Sequence, residues 1–460
     1  YATVFHNFED KCLLYNAYRL CIDWNYLSSS AIIRHRIHTN KMETMKILLK
    51  ISLFIIILLI VLLGLLQIDD RLSPETKAWM EKTQTAVNTD NDAYFYFLGL
   101  MAPENQDPID VGKAIHQQVL AQPLPTYNAD GSKKKLASEE EYQVYNIDEG
   151  LKVRNKKNYC RVFEAGCFER LISDESKTLE LVENNHVLHQ RYKKFLSLPD
   201  YQMMHPIGNF VSWPNYQSLI DSNNISLINL LAVESQDQLN RQYAELLDET
   251  RLKLSQAGTI IEKMIYVALV NHNLEFYNLI YKHDVINQPI SLKSLSEEEK
   301  DMLHPMSYES LTGTAMSNHF EFAWYELVNK AFIKKNMILN NYYETTQQYG
   351  KLSKLPPHQQ VTAKTSDGTI SNEVSFLDKY RNLSGWVLTQ IAIPAYDDYM
   401  FRVSDLDAKI AVLNWRLQQP HDADINEEYL EQHDTARLNP YKIGSFFIKK
   451  EESGKQKLLC

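Results

Sequence analysis

Cys160 and Cys167 are the first residues of this 460-residue chain whose type and spacing could do chemistry; they frame the six residues RVFEAG. In an oxidising compartment the pair is expected to form a disulfide, closing a short loop worth about 2.5 kcal/mol in the chain-entropy picture. The alternative is two unrelated thiols, because zinc would need more ligands nearby than the sequence offers. Cys12 and Cys21 stand far from them, in the N-terminal segment.

His186 and His189 lie three apart, a spacing that puts two imidazoles on one helix face where a metal could use them. Histidines packed on a helix face are the commoner outcome, so no metal site is expected. No HExxH occurs. Asp422, Asp424, Asn426 and Glu428 alternate like the start of a calcium loop. However, Glu427 stands where the turn glycine belongs, and His433 where the bidentate glutamate belongs. Ser132 and Lys135 make an SxxK, but it lies within the lysine run 133–135. His283-Asp284 and Asp397-Asp398 could serve acid–base chemistry, whose groups are set by position in space; helix-end charges are the plainer reading. P-loop, dinucleotide and nucleophile-elbow motifs are absent, so no cofactor is expected and catalytic residues remain unknown.

Such groups must be positioned by helices. Glycine is scarce, 14 in all, while hydrophobic residues make up 44% and charged residues 23% of a chain rich in helix formers. That composition describes a folded, mainly α protein. The formal charge of −10 divides into +3 over residues 1–50, none over 51–68 and −13 over 69–460. An acidic body without a basic stripe is a poor nucleic-acid partner. The 27 tyrosines are spread along the chain and read as packing side chains.

Residues 51–66, ISLFIIILLIVLLGLL, contain one polar residue, Ser52. With its flanks the apolar run covers 47–68, about 20 residues, enough to cross a hydrocarbon core. Gln67-Ile68-Asp69-Asp70 offers no small-x-small cleavage site, so a retained signal anchor is expected over a cleaved peptide. Lys46 and Lys50 precede the run and Asp69 and Asp70 follow it. The positive-inside rule then places residues 1–46 in the cytoplasm and everything after Asp69 outside. Residues 1–41 lack methionine, whereas Met42 and Met45 stand just before Lys46; 1–41 reads as an upstream extension of the frame, or else as a cytoplasmic tail.

Beyond the anchor the expectation is an irregular all-α domain over 69–350, a polar linker over 351–374, and a C-terminal helical section over 375–460 packed on the same domain. Ser73-Pro74-Glu75 predicts a helix start. Asn91–Ala102 and Asp110–Ala121 read as short helices, residues 122–135 as a loop, and Ser138 with Glu141 as a capping box. Asp174–Leu198 reads as one long amphipathic helix with Leu179, Val182, His186, Leu188, His189, Tyr192 and Phe195 on its face. Further helices are expected over 225–233, 236–256, 259–282, 317–348 and 382–418, with 259–282 as the buried centre. Residues 445–448 and 457–459 flank a polar turn and predict a small C-terminal β-hairpin.

Three stretches carry a resemblance: NDAYFYFLGLMAPENQDPIDVGKA (91–114), AGTIIEKMIYVALVNHNLEFYNLIYKH (257–283) and LTQIAIPAYDDYMFRVSDLDAKIAVL (388–413). They resemble a group of uncharacterised Gram-negative bacterial proteins with one N-terminal anchor and a helical extracytoplasmic body, to which no activity is assigned. The resemblance implies a bacterial inner membrane location with the body in the periplasm. The functional expectation is a non-catalytic envelope interaction or assembly factor, leaning away from an enzyme. Its partners would be the bilayer, through 47–68, and an envelope protein meeting whatever apolar surface the core leaves over from faces such as 94–100 and 396–403. Alternatives are an anchored hydrolase with scattered catalytic residues, and a binder of a small ligand or cell-wall glycan.

Overall fold

A computed structural model describes residues 31–68, 70–87, 91–121, 150–155, 158–208, 213–317, 334–366, 379, 381–421, 423, 447–450 and 456–459. The chain divides into two compact units, 1–69 and 70–460. The first contains α1, Ala31–Ile68. Its window Met45–Leu62 has a mean hydropathy of 2.8 and is fully exposed. Among the described residues it is the helix long and apolar enough to cross a membrane.

The second unit is mainly helical. Its first helices are α2 (Pro74–Val87), α3 (Asp92–Leu98) and α4 (Pro108–Ala121). After them come α5 (Cys167–Ser173), α6 (Glu175–Asn184), α7 (His186–Ser197) and α8 (Tyr216–Leu230). The centre is α9 (Gln236–Gln256) and α10 (Ile260–Lys282), followed by α11 (Glu297–Lys300) and α12 (Leu303–Ser317). The last three are α13 (Lys335–Leu352), α14 (Pro357–Ser366) and α15 (Leu383–Arg416).

Helix starts follow local chemistry. Ser73 Oγ accepts the Thr76 N–H at 3.0 Å, and Pro74 sits where a helix has no use for its missing N–H. Asn91 caps α3, Ser235 caps α9 and Thr259 caps α10, each side chain accepting a first-turn N–H. The expected bounds of α9, α10 and α15 agree with the structure to within two residues.

As expected, α10 is the buried centre. Tyr266, Leu269, Val270, Phe276, Tyr277 and Ile280 are completely buried, and the helix packs on α8, α9, α12 and α15. Each such side chain contributes roughly 1.5–3 kcal/mol of transfer free energy. The apolar faces at 94–100 and 396–403 also belong to this core: Tyr94, Phe97, Leu100, Met400 and Val403 are all buried. The core takes these side chains, so they leave little surplus apolar surface for a partner.

Asp174–Leu198 is not one helix. Asn185 interrupts it (φ −117°, ψ 14°) and is buried. Its Nδ2 donates to Leu181 O at 2.8 Å and Arg154 O at 3.2 Å, and its Oδ1 accepts the Arg154 N–H at 2.8 Å. Pairing with a backbone 31 residues away outweighs one more turn of continuous helix. The expected face shifts with it: Leu179 is 45% exposed, while Leu181 and Leu196 are fully buried.

The run expected over 225–233 starts earlier, at Tyr216; of the one expected over 317–348, residues 335–348 lie in α13, while 318–333 lie outside the described residues. Lys334, extended at φ −100° and ψ 98°, starts α13. The stretch expected as a polar linker holds α14, where Gln360 is buried and accepts from Ser404 Oγ at 2.8 Å. The expected C-terminal hairpin is not supported as part of this fold: Phe447–Lys450 and Gln456–Leu459 lie in antiparallel register but contribute no described side chain to the helical body. The loop 122–135 and the Ser138–Glu141 capping box lie outside the described residues.

Candidate functional site

The densest group of displaced titratable side chains surrounds the first turn of α10. Glu262 is completely buried. Its backbone N–H donates to Thr259 Oγ1 at 3.1 Å, and its Oε2 accepts the Gly258 N–H at 2.7 Å. Tyr201 donates its hydroxyl to Oε1. Burial raises the Glu262 carboxyl from 4.5 to about 7, against the lowering pull of these hydrogen bonds and of Lys253.

Two buried lysines stand near. Lys253 Nζ donates to Leu198 O and lies 5.3 Å from the Phe195 ring centroid and 5.6 Å from that of Tyr201. Lys263 Nζ donates to Leu254 O at 2.9 Å. Burial lowers both ammonium groups to about 8. Around the carboxyl, Tyr94, Tyr201, Tyr216, Tyr266 and Tyr308 have phenols pushed upward, by burial first and then by neighbouring charge.

In pKa alone this cluster looks like acid–base machinery. Its geometry is that of a polar knot: Glu262, Lys253, Lys263, Tyr201 and Tyr266 have at most 4% of their surface exposed, and Glu262, Lys253 and Lys263 bond to backbone groups at the start of α10 and the ends of α7 and α9. It joins the end of α7 and the end of α9 to the start of α10.

The knot makes a pH prediction. A folded carboxyl raised to about 7 binds its proton more tightly than the unfolded one near 4.5. Stability from this group is therefore full below about pH 4.5 and is lost as pH rises towards 7, by roughly 3 kcal/mol. His189 and His272, lowered by burial to about 4, act oppositely, adding stability as pH rises from about 4 to 6.5. The measurement is thus a difference: urea unfolding of wild type and Glu262→Gln across this window. Wild type should lose stability relative to the variant as pH rises; parallel profiles would contradict the assignment.

Cys160 and Cys167 are placed as expected, with sulfurs at disulfide distance and Cα atoms 6.0 Å apart. Gly166, at φ 74°, takes the left-handed turn that brings the loop round. Mass mapping of the non-reduced chain should recover one peptide pair joined through these two residues. Two freely alkylated thiols would refute the bond.

His186 and His189 have separate partners. His186 Nδ1 meets Glu183 O at 2.9 Å, and His189 Nδ1 meets Ser226 Oγ on α8 at 2.9 Å. No group of three His, Cys, Asp or Glu residues among those described could hold a metal ion. His283 and Asp284 end α10: the His283 ring lies against Phe168, with Nε2 3.7 Å from Glu169 Oε1, and Asp284 takes φ 55°. Asp397 is buried and accepts the Tyr349 hydroxyl at 2.7 Å, whereas Asp398 is exposed. A concavity of about 450 Å³ at the start of α4 is lined by Gln106, Asp107, Asp110, Val111 and Ala114. Asp107 Oδ1 is engaged there by the Ile109 N–H at 2.8 Å, as a helix cap. Ser132, Lys135, Asp422, Asp424, Asn426, Glu427, Glu428 and His433 lie outside the described residues.

Sequence reasoning missed Glu262, Lys253, Arg191 and the Arg251–Glu299 pair. Thr259-Ile260-Ile261-Glu262 does carry the T-x-x-E signature of a helix start, which could have singled out Glu262. Arg191 left no local trace: it donates to the carbonyls of Leu100, Ala102, Pro103, Glu104 and Gln106, all more than 80 residues away. Compared with known proteins, the chain matches no family, no curated protein and no solved structure.

Proposed function

We propose that this chain is a membrane-tethered helical protein of the bacterial inner membrane, with its body in the periplasm, acting by binding another envelope protein. The observation that carries this reading is the fully exposed apolar window Met45–Leu62, placed directly before a separate helical body. Orientation rests on Lys46 and Lys50 before the run and Asp69 and Asp70 after it. The cysteine pair at disulfide distance suits an oxidising compartment. The resemblance of residues 91–114, 257–283 and 388–413 to anchored Gram-negative proteins supports the same placement. Binding is favoured over chemistry because the strongly displaced acid and base groups are engaged in joining helices.

A tethered binder depends on its anchor, which confines it to a thin layer beside its partners and raises its effective concentration there. The test compares the full chain with residues 70–460 exported behind a cleavable signal at equal level. Loss of the cellular phenotype in the released form is expected. Full function of the released body, abolished by one carboxylate or histidine substitution, would replace this reading with an enzyme.

A further inference from the structure

The residues that leave the apolar run are fastened to the body at once. Asn336 Nδ2 donates to Asp70 O at 2.7 Å, and the Met337 N–H donates to Asp70 Oδ1 at 3.1 Å. The Ser73 N–H donates to Asn340 Oδ1 at 3.0 Å, and Asn340 Nδ2 donates to Arg71 O at 2.9 Å. Asp70 therefore supplies a carboxylate to the first turn of α13, and two asparagines one turn apart hold the chain that follows.

Asp70 stands two residues after Ile68, the end of α1. Two residues span at most about 7 Å. If the apolar run is in the membrane, the start of α13 cannot rise far from the bilayer surface. The start of α15 shares this end of the body, since the Lys334 N–H donates to Asn382 Oδ1 at 3.0 Å and Gly385 lies against Ile338.

This end presents apolar side chains. Leu383 is 50% and Val387 41% exposed, one helical turn apart on one face of α15. The other exposed large apolar residues described on the body, Leu120, Ile172, Leu179, Leu252 and Ile261, fall on five different helices. Trp386 sits between the pair in sequence, half-buried, with Lys379 Nζ 5.3 Å from its ring centroid. Arg71, Lys335 and Arg381 add positive charge at the same end.

We infer that the end of the body formed by the starts of α13 and α15 docks on the lipid surface, with Leu383 and Val387 entering the headgroup–acyl boundary. Trp386 lies at headgroup level, where amphipathic rings concentrate. This rests on the membrane-tether reading and adds to it: the body lies down on the bilayer instead of swinging on a leash.

The test places a photoreactive phenylalanine at Leu383, Val387 or, as a control, Leu252 of the full chain, in phosphatidylethanolamine–phosphatidylglycerol vesicles. Insertion is scored separately by resistance to alkaline carbonate. Carbonate-resistant chain should give lipid adducts at 383 and 387 severalfold above those at 252. With the label at Trp386, Leu383→Asp with Val387→Asp should reduce its adducts severalfold and leave the urea midpoint unchanged. Resistant chain whose 383 and 387 labels react no more than 252, or react with a second copy, overturns the docking and leaves the tether standing. Release by carbonate overturns both.

Discussion

Replacing Gly112 with alanine should destabilise the helical body by about 3 kcal/mol or more, although alanine is the better helix former by about 1 kcal/mol. Gly112 lies inside α4 where that helix crosses α3. A Cβ there would press within 3.0 Å of the backbone of Phe95, including its carbonyl carbon and oxygen. Gly99 makes the reciprocal approach to the backbone of Pro108 and Gly112. Because the obstacles are backbone atoms, no side chain can rotate aside, and the two helices must separate. Separation would strip cover from Tyr94, Phe95 and Phe97.

Gly313 provides the opposite expectation. It lies exposed within α12, and a Cβ there would meet nothing within 4 Å. Gly313→Ala should stabilise by roughly 0.5–1 kcal/mol through the unfolded chain's lost freedom. Urea midpoints of the two variants should move in opposite directions; equal shifts would show that backbone contact at α3–α4 is not what requires glycine.

The second large effect is expected at Arg251. Its guanidinium meets Glu299 through Nε at 2.5 Å and Nη2 at 2.8 Å, and donates to Lys293 O and Ser294 O, each at 2.7 Å. Both side chains are more than nine-tenths buried. Glu299 also closes the capping box of α11, with the Ser296 N–H donating to Oε2 at 2.6 Å. Arg251→Ala leaves a buried carboxylate facing two unpaired carbonyls, which should cost about 3–5 kcal/mol. Glu299→Gln keeps an acceptor for Ser296 and should cost less. The double variant should cost clearly less than the sum of the singles, because each single strands the other's charge. Additive losses would mean that the pair is not coupled.

These two sites also show what was legible before the structure. The apolar run, the helix starts at Ser73 and Thr259, the bounds of α9 and α10 and the cysteine pair are local properties, read from a few adjacent residues. Arg251 and Glu299 are 48 residues apart, and Asn185 breaks a well-patterned helix for the sake of Arg154, 31 residues upstream. Nothing within a helical window reports such a partner. The tight crossing of α3 and α4 was hidden likewise, since an interior glycine reads only as a weak helix former until its neighbour is known. For the candidate site, Glu262 carried a local signature of its helix-start role, but burial and a neighbouring tyrosine set its acidity. Those are tertiary facts.

The central claim is that Met45–Leu62 crosses a membrane and holds the body on the far side. A reporter active only outside the cytoplasm, fused after Asp70 in the full chain and read in intact cells, tests this most directly. The account predicts an active reporter that stays in the carbonate-resistant membrane fraction. A silent reporter, or an active one released into the soluble periplasm, would contradict it.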